Sequence, residues 1–210
     1  MKKIILLLTI AICCLQIAGH SQNKVGISAG VSVANMKGKV DGDSKTGIIT
    51  GLVLETPLGK VFTFRPTLSY VQKGQNQPPP GLADKYYIAL RYIEFSPDVL
   101  YYISDSKTGF FLGAGPSLAF GLPSTKVTVT DGVKTPGSIK FGKTVADDLR
   151  GMDYGADFTA GWSTKGGLFL SINYNRGFRN LGAEGAPGTL KNSYFGVQLG
   201  YFLNNGKPAK

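Results

Sequence analysis

Cysteine and histidine are scarce in this chain, and the few present lie near its start. The 210 residues include two cysteines, at positions 13 and 14, and one histidine, at position 20. Residues 1–21 have the pattern of a secretory signal peptide. Two lysines are followed by an apolar run over positions 4–18 and then by the residues Gly-His-Ser. Cleavage after Ser21 would leave a mature chain without disulfide, thiolate or imidazole chemistry. It would also lower the formal net charge from +10 to +8, because Lys2 and Lys3 are removed.

Two other interpretations of this segment are weaker. An uncleaved anchor helix would need roughly 20 apolar residues, which is more than positions 4–18 supply. Lipid attachment at Cys13 or Cys14 would leave a bulky residue, Ile12 or Cys13, in front of the modified cysteine.

Helical periodicity is also missing from the mature chain. Eight segments instead place a bulky apolar residue at every second position, as a strand with one apolar face does. Tyr154, Phe158 and Trp162 thus fall on one face of such a strand, and Asp153 and Asp157 fall on the other. The predicted strands are residues 24–36, 47–57, 61–73, 86–103, 109–122, 151–163, 167–177 and 193–203.

The connections between these segments alternate in length. Residues 58–60, 104–107 and 164–166 predict tight turns, whereas residues 35–46, 74–85, 123–150 and 178–192 predict long polar loops. Without helices, only lipid or the interior of the sheet is left to cover the apolar faces. The predicted fold is all-β, an eight-stranded antiparallel up-and-down transmembrane β-barrel with short periplasmic turns and long extracellular loops. It would span residues 22–203, and residues 204–210 would form a short tail.

Aromatic residues fall at both ends of the apolar stripes. At the short-turn end they are Phe62, Tyr101, Phe110, Trp162 and Tyr201. At the long-loop end they are Tyr70, Tyr87, Phe120, Tyr154 and Tyr174. Membrane interfaces select such girdles, because amphipathic rings prefer the level of the headgroups. A soluble lipid-carrying barrel has no reason to band its aromatic residues in this way, so lipid is the favoured cover.

The opposite parity predicts a polar interior. Eight strands enclose a space just wide enough to be filled by side chains. The predicted interior polar cluster is Glu55, Arg65, Glu94, Asp98, Asp153, Asp157 and Asn173. Glu55 should lie nearly opposite Arg65, and Asp157 nearly opposite Asn173. Because five acids meet one arginine, we expect trapped water, a lysine such as Lys73 reaching in, or protonated carboxyl groups.

Five segments resemble the PorT-like outer-membrane β-barrel family of Bacteroidetes-type bacteria. They are residues 65–74 (RPTLSYVQKG), 92–95 (YIEF), 113–116 (GAGP), 153–155 (DYG) and 174–181 (YNRGFRNL). Their order covers nearly the whole mature chain. The resemblance implies an integral outer-membrane barrel. It implies little about activity, since only some members are linked to secretion of other proteins.

No catalytic, cofactor-binding or metal site is predicted, so we do not expect an enzyme. Barrels of this size that modify lipids rely on a histidine, which the predicted mature chain lacks. Asp153 and Asp157 could in principle do acid–base work, but a polar plug is the favoured interpretation of two inward acids. The acids also lack the spacing of an oxygen-rich calcium loop.

The excess positive charge lies mostly in the long loops and indicates an anionic partner. An exported protein would not meet nucleic acid, whereas phosphates of lipopolysaccharide lie at the height of these loops. A basic loop surface of Lys126, Lys134, Lys140 and Lys143 is therefore the predicted contact for lipopolysaccharide or for a protein partner in the envelope. A solvated surface without a partner is an equally good interpretation. For function, a structural or surface-interaction role is favoured, and the alternative is a narrow, weakly cation-preferring pore.

The longest predicted loop, residues 123–150, contains a hairpin pattern. Residues 126–130 alternate β-branched and polar side chains, and Asp131-Gly132 suits a tight turn in which both central residues have positive φ. The returning arm, residues 133–135, is expected to be interrupted by Pro136-Gly137. A disordered loop is the alternative. Pro66, Pro97 and Pro116 lie inside predicted strands, where they predict bulges.

Overall fold

Nine β-strands make up the computed structural model, which describes residues 23–37, 43–77, 85–185 and 188–204. In chain order they are β1 (Lys24–Lys37), β2 (Asp43–Pro57), β3 (Phe62–Gln77), β4 (Lys85–Tyr102), β5 (Gly109–Thr130), β6 (Val133–Ile139), β7 (Met152–Ser163), β8 (Leu168–Gly177) and β9 (Lys191–Phe202). The predicted signal peptide and all of the predicted tail except Asn204 lie outside the described residues. Within the described ranges, no helix is long and apolar enough to cross a membrane.

Eight of these strands form a closed antiparallel barrel. β1 pairs with both β2 and β9, and the circle continues through β3, β4, β5, β7 and β8. β6 is outside this circle, because its one partner is the far half of β5. Closure pairs the barrel strands on both sides, which is the condition for placing a sheet in hydrocarbon. The predicted eight-stranded barrel is confirmed.

Burial in this barrel is the reverse of burial in a soluble protein. On β7, Tyr154 and Phe158 are 49% and 52% exposed, whereas Asp153 and Asp157 are 2% and 1% exposed. The same alternation of exposed apolar and buried polar residues runs along β9, where Gln198 lies inside and Leu199 outside. Lipid is the solvent that makes this arrangement favourable, since it covers the apolar outer wall.

The strands β2 to β5 run further toward the long loops than the sequence predicted. β3 ends at Gln77 instead of residue 73, and β5 ends at Thr130 instead of residue 122. The outer part of β3 is polar and lacks the apolar alternation on which the prediction depended, whereas the outer part of β5 contains the predicted hairpin arm, residues 126–130. They form because neighbouring strands still satisfy their backbone groups, as in the pairing of Gln75 with Ile88.

The predicted hairpin is present. Thr130 pairs with Val133, and the turn residues Asp131 and Gly132 have φ values of 51° and 76°, as a tight two-residue hairpin turn requires. The prediction that Pro136-Gly137 interrupts the returning arm is wrong, because pairing continues to Ile139. A proline is tolerated here because β6 is an edge strand.

The prediction that the strand prolines mark bulges is also wrong. Pro66 pairs directly with Pro97, and the pairs on either side place Pro97 opposite Pro116. The three prolines therefore lie side by side across β3, β4 and β5 without a change of register. Proline has no backbone N–H group, so facing prolines leave out hydrogen bonds at one level of the sheet. No strand gains an extra residue there. The register shifts lie elsewhere, between Ser44 and Ile49 and between Ala89 and Arg91.

We expect the hairpin to be dispensable for barrel assembly. Replacing residues 129–134 with Asn-Gly joins the facing residues Thr128 and Thr135 and retains buried Ile139. The folded variant should still migrate faster than its heated form on a gel, because no spanning strand is shortened. As a control, Phe158→Lys places a charge on the lipid-facing wall and should lower the free energy of unfolding by roughly 2–4 kcal/mol. Loss of the fast band in the hairpin variant would contradict this division.

Candidate functional site in the barrel interior

One row of directly opposed residues crosses six strands of the interior. Glu55 faces Arg65, as the flanking pairs Val53↔Thr67 and Thr56↔Phe64 require. The row then continues along hydrogen-bonded neighbours, with Arg65 opposite Asp98 and Gly115 opposite Asp157. Its members from β2 to β8 are Glu55, Arg65, Asp98, Gly115, Asp157 and Asn175. Strand register alone therefore brings most of the predicted interior polar cluster together.

Arg65 is the centre of the charge cluster nearest the short turns. Its Nε donates to Glu55 Oε1 at 2.8 Å, and its Nη2 contacts the same oxygen and donates to the Tyr102 hydroxyl at 3.1 Å. The Tyr102 hydroxyl in turn donates to Glu55 Oε1 at 2.8 Å. Lys24 Nζ lies 3.9 Å from the other carboxylate oxygen. Glu55 therefore keeps its charge balanced although it is buried.

Aromatic rings surround this arginine. The guanidinium carbon lies 4.3 Å from the ring centre of Phe111, 5.1 Å from that of Phe169 and 5.9 Å from that of Phe202. Such contacts are favourable because the face of an aromatic ring is electronegative. Together the ion pair and the rings form a short-turn plug that fills the barrel at this end.

A second cluster lies closer to the long loops. Lys73 Nζ contacts Glu94 Oε2 at 2.6 Å, and the Tyr194 hydroxyl donates to Glu94 Oε1 at 2.5 Å. Lys73 is 1% exposed and lies 4.7 Å from the Tyr194 ring centre. Trapped water, an inward lysine and protonated carboxyl groups were the three expected ways of compensating the interior acids. For Glu94 the structure shows the inward lysine, Lys73.

Asp98 and Asp157 lie between the two clusters. Asn173 and Asn175 donate to Asp157 at 3.1 and 3.3 Å. Asp157 pairs directly with Asn175, and Asn173 pairs with Thr159. Asn173 is therefore the diagonal neighbour of Asp157, close to the position nearly opposite it that the sequence predicted.

Gly115 provides space for the carboxylate of Asp98. A side chain at this position would bring its Cβ to 2.5 Å from Asp98 Oδ1. That oxygen is buried and accepts no hydrogen bond within the described part of the chain. Asp98 and Asp157 line a cavity of about 30 Å³, which has room for about one water molecule. The described residues contain no group of three or more acidic, histidine or cysteine side chains that could hold a metal ion.

The long-loop end of the interior is closed by apolar side chains. We call this cluster the loop-end core; its buried members are Met36, Ile88, Leu90, Tyr92, Ala119, Ile139, Leu149 and Leu181. Phe141, which follows β6, packs on it with its ring centre 6.3 Å from that of Tyr92. Sequence reasoning missed this core. Its only signal was a set of apolar residues within otherwise polar loops, such as Leu149 and Leu181.

Asp153 is the remaining acid of the predicted interior cluster. It is 2% exposed and lies on β7 opposite Ala119, a member of the loop-end core. It is therefore at the loop end of the interior and is separate from the row that contains Asp157.

The predicted girdle residues all lie on the outer wall. At the short-turn end, the rings of Phe110 and Trp162 are 4.7 Å apart, and those of Phe62 and Tyr101 are 5.6 Å apart. The remaining residue there, Tyr201, is 46% exposed. Those at the long-loop end are Tyr70, Tyr87, Phe120, Tyr154 and Tyr174, which are exposed or half-buried. Sequence analysis did not include Phe195, although its ring lies 4.7 Å from that of Tyr174.

The predicted basic loop surface is divided by an ion pair. Lys126 on β5 contacts Asp148 Oδ1 at 2.5 Å, so one of its four charges is balanced within the chain. Lys134 lies exposed on β6, and Lys140 and Lys143 lie exposed in the segment that follows it. Three cations therefore remain available to a partner.

Removing the buried cation should destabilise the barrel more than removing the whole ion pair. Arg65→Met leaves Glu55 buried beside an apolar side chain, and we expect the free energy of unfolding to fall by about 3–5 kcal/mol. Urea unfolding in lipid vesicles would measure this fall in the free energy of unfolding, with the fluorescence of the single tryptophan as the signal. Lys60→Met, at an exposed turn residue, serves as the control. The double variant Glu55→Gln with Arg65→Met should recover most of the loss; a double variant as unstable as the single one would contradict the argument.

The attachment of the hairpin should weaken in acid. Partial burial alone would raise the pKa of Asp148, but hydrogen bonds from Lys126 Nζ and from the Lys140 N–H hold it below its ordinary value of 3.8. The contribution to stability is therefore complete above about pH 3.8 and is lost as the pH falls through the lower folded-state pKa. The protection factors of the β6 amides, which correct for the intrinsic effect of pH on exchange, should fall over this range. Asp148→Asn should remove this dependence, whereas Asp131→Asn should not.

Comparisons with known proteins agree with this architecture. The family model described as outer membrane protein beta-barrel domain matches residues 20–182, which is more than half of the chain. No curated protein matches the chain. Among solved structures, Neisserial surface protein A (NspA) is 8% identical, with a TM-score of 0.48, over 85% of this chain and 97% of that chain.

Two further solved structures also match most of the chain. Ail, the attachment invasion locus protein of Yersinia pestis, is 11% identical over 85% of this chain and 97% of its own, with a TM-score of 0.48. The N-terminal β-barrel domain of Pseudomonas aeruginosa OprF is 11% identical over 83% and 97%, with a TM-score of 0.34. The match to the family model assigns the barrel to the outer membrane. The chain belongs to the outer membrane protein beta-barrel family.

Proposed function

We propose that this protein is a closed, non-catalytic outer-membrane barrel that displays a surface hairpin to a partner. As the resemblance to PorT-like proteins implies, it would support an envelope or secretion machine of a Bacteroidetes-type cell. The observation that carries the proposal is the contrast between an interior filled at both ends and a hairpin that projects from the barrel. A barrel of this construction offers its surface and not its lumen.

The filled interior supports a structural role over the alternative of a narrow, weakly cation-preferring pore. Ions crossing the barrel would first have to pass the loop-end core, in which Tyr92 is almost completely buried. They would then have to pass the short-turn plug, in which Phe111 and Phe202 are almost completely buried. Between them lies a cavity of only about 30 Å³. The acids Asp98 and Asp157 line this cavity, and they are the feature that would give a pore its cation preference.

The hairpin supports a role in contact with a partner. Among the described residues β6 pairs only with β5, so its other edge has no strand partner there. Such edges pair readily with another chain. Lys134 and Val133 are exposed on it, Val133 to 66%. The partner would be lipopolysaccharide or an envelope protein with an acidic surface. Nucleic acid is not expected at this location.

Planar-bilayer recording tests the closed-barrel proposal. We expect purified wild-type protein, inserted in its heat-modifiable form, to give no steady single-channel steps, because both ends are filled. Steady steps that become smaller in Asp98→Asn or Asp157→Asn would overturn the proposal and establish the pore.

Photo-crosslinking in intact cells tests the proposed partner surface. A photoreactive residue at Lys134 should give a discrete adduct, since this position lies on the open hairpin. The same residue at Lys60 is a matched control, because that lysine is exposed in a turn at the opposite end of the barrel. Equal labelling from both positions, or none from Lys134, would contradict a partner at the hairpin.

A further inference from the structure

Three cations lie on the outer wall of the barrel where β8, β9 and β1 meet. Arg176, Lys191 and Lys37 occupy the outward parity of their strands, and all three side chains are exposed. They lie apart from the hairpin, which extends from β5. We call these three residues the wall triad.

Strand register holds the wall triad together. Lys37 and Lys191 are direct partners on neighbouring strands, so their Cβ atoms are about 4.5–5.5 Å apart. Arg176 pairs with Ser193 and is therefore the diagonal neighbour of Lys191, within reach of a long side chain. Like charges placed directly opposite each other are destabilising, so this arrangement needs an anion.

The protein does not supply that anion in its described part. The side chains of Lys37, Arg176 and Lys191 make no hydrogen bond or ion pair with any described residue. The acids of β7, Asp153 and Asp157, are buried inside the barrel, and the sequences of β1, β8 and β9 contain no acid. The wall triad differs in this respect from Lys126, which Asp148 neutralises.

The height of the wall triad identifies the anion. Arg176 follows the girdle residue Tyr174 by two positions, about 7 Å along the strand. The rings of Tyr174 and Phe195 stack below the triad with their centres 4.7 Å apart. Lower on the same wall, Ile172 and Val197 are 53% and 45% exposed. The level just above an aromatic girdle is that of the lipid headgroups.

We propose that the wall triad binds the phosphate of an outer-leaflet lipid, with lipid A as its ligand. The planar guanidinium of Arg176 can hold two phosphate oxygens, and the lysines add point charges. The acyl chains of the same molecule would lie on the apolar wall below. A lipid fits better than a soluble anion, because cations and apolar wall are continuous on one face. The inference requires the outer-membrane location but not the proposed role of the hairpin.

Native mass spectrometry of the purified barrel with lipid A tests this inference. Diphosphoryl lipid A should bind the wild type, and lipid A with the same chains but no phosphates should bind far more weakly. Neutralising the wall triad (Lys37→Gln, Lys191→Gln, Arg176→Gln) should weaken binding about a hundredfold, the effect expected of three cations at an anionic surface. A matched control, Lys60→Gln, Lys107→Gln and Lys165→Gln, removes three charges from the short turns at the opposite end of the barrel and should leave the affinity unchanged. The loop variant Lys134→Gln, Lys140→Gln and Lys143→Gln tests whether the hairpin makes the lipid contact instead.

The controls separate the possible outcomes. All variants must first show the fast-migrating folded band; if the triple variant does not, Lys191→Gln alone should weaken binding about fivefold. Equal affinity of wild type and folded triad variant, or of the phosphorylated and dephosphorylated lipids, would overturn the proposal. Competition by inorganic phosphate as effective as that by lipid A would overturn it in favour of a soluble anion. A loss of affinity in the loop variant but not in the triad variant would place the lipid contact at the hairpin instead.

Discussion

Hydrocarbon offers no hydrogen-bond partner to a backbone, and this constraint determines the form of the barrel. A sheet in lipid must close so that its spanning N–H and C=O groups pair within the wall. Once β1 meets β9, every residue of a spanning strand points either to lipid or to an interior of fixed width. The alternation of Leu199 outside and Gln198 inside follows directly from that geometry.

The narrow interior then imposes a second requirement, because charges placed there must find partners. Arg65 meets this requirement by contacting Glu55 and Tyr102 and by lying among aromatic rings. Lys73 does so for Glu94. The two ion pairs lie at different heights, and the less compensated carboxylates of Asp98 and Asp157 lie around the small cavity between them. Filling and charge balance are thus achieved by the same residues.

Alternation and turn chemistry were sufficient to predict the barrel, the two faces of each strand and the hairpin turn at Asp131-Gly132. They were insufficient where the pattern weakens. The outer part of β3, residues 74–77, is polar on both faces, so it could be recognised only through its neighbours. The loop-end core was missed because Leu149 and Leu181 are distant in sequence from the strands on which they pack. The proline row was misinterpreted because a single strand cannot show that Pro66 faces Pro97.

The charges outside the barrel differ from those inside in whether the chain itself supplies a partner for them. The interior ion pairs are held by buried partners, and the unpaired carboxylate oxygens among the described interior residues are Oδ1 of Asp98 and Oδ1 of Asp153. Outside, Lys126 is neutralised by Asp148, whereas the wall triad carries no partner in the described part of the chain. A cation in water can remain unpaired at little cost, but two lysines held face to face by strand register cannot separate their backbones. A lipid phosphate at the membrane surface would relieve this repulsion, and the fold would thereby turn an unfavourable pair into a site for lipid.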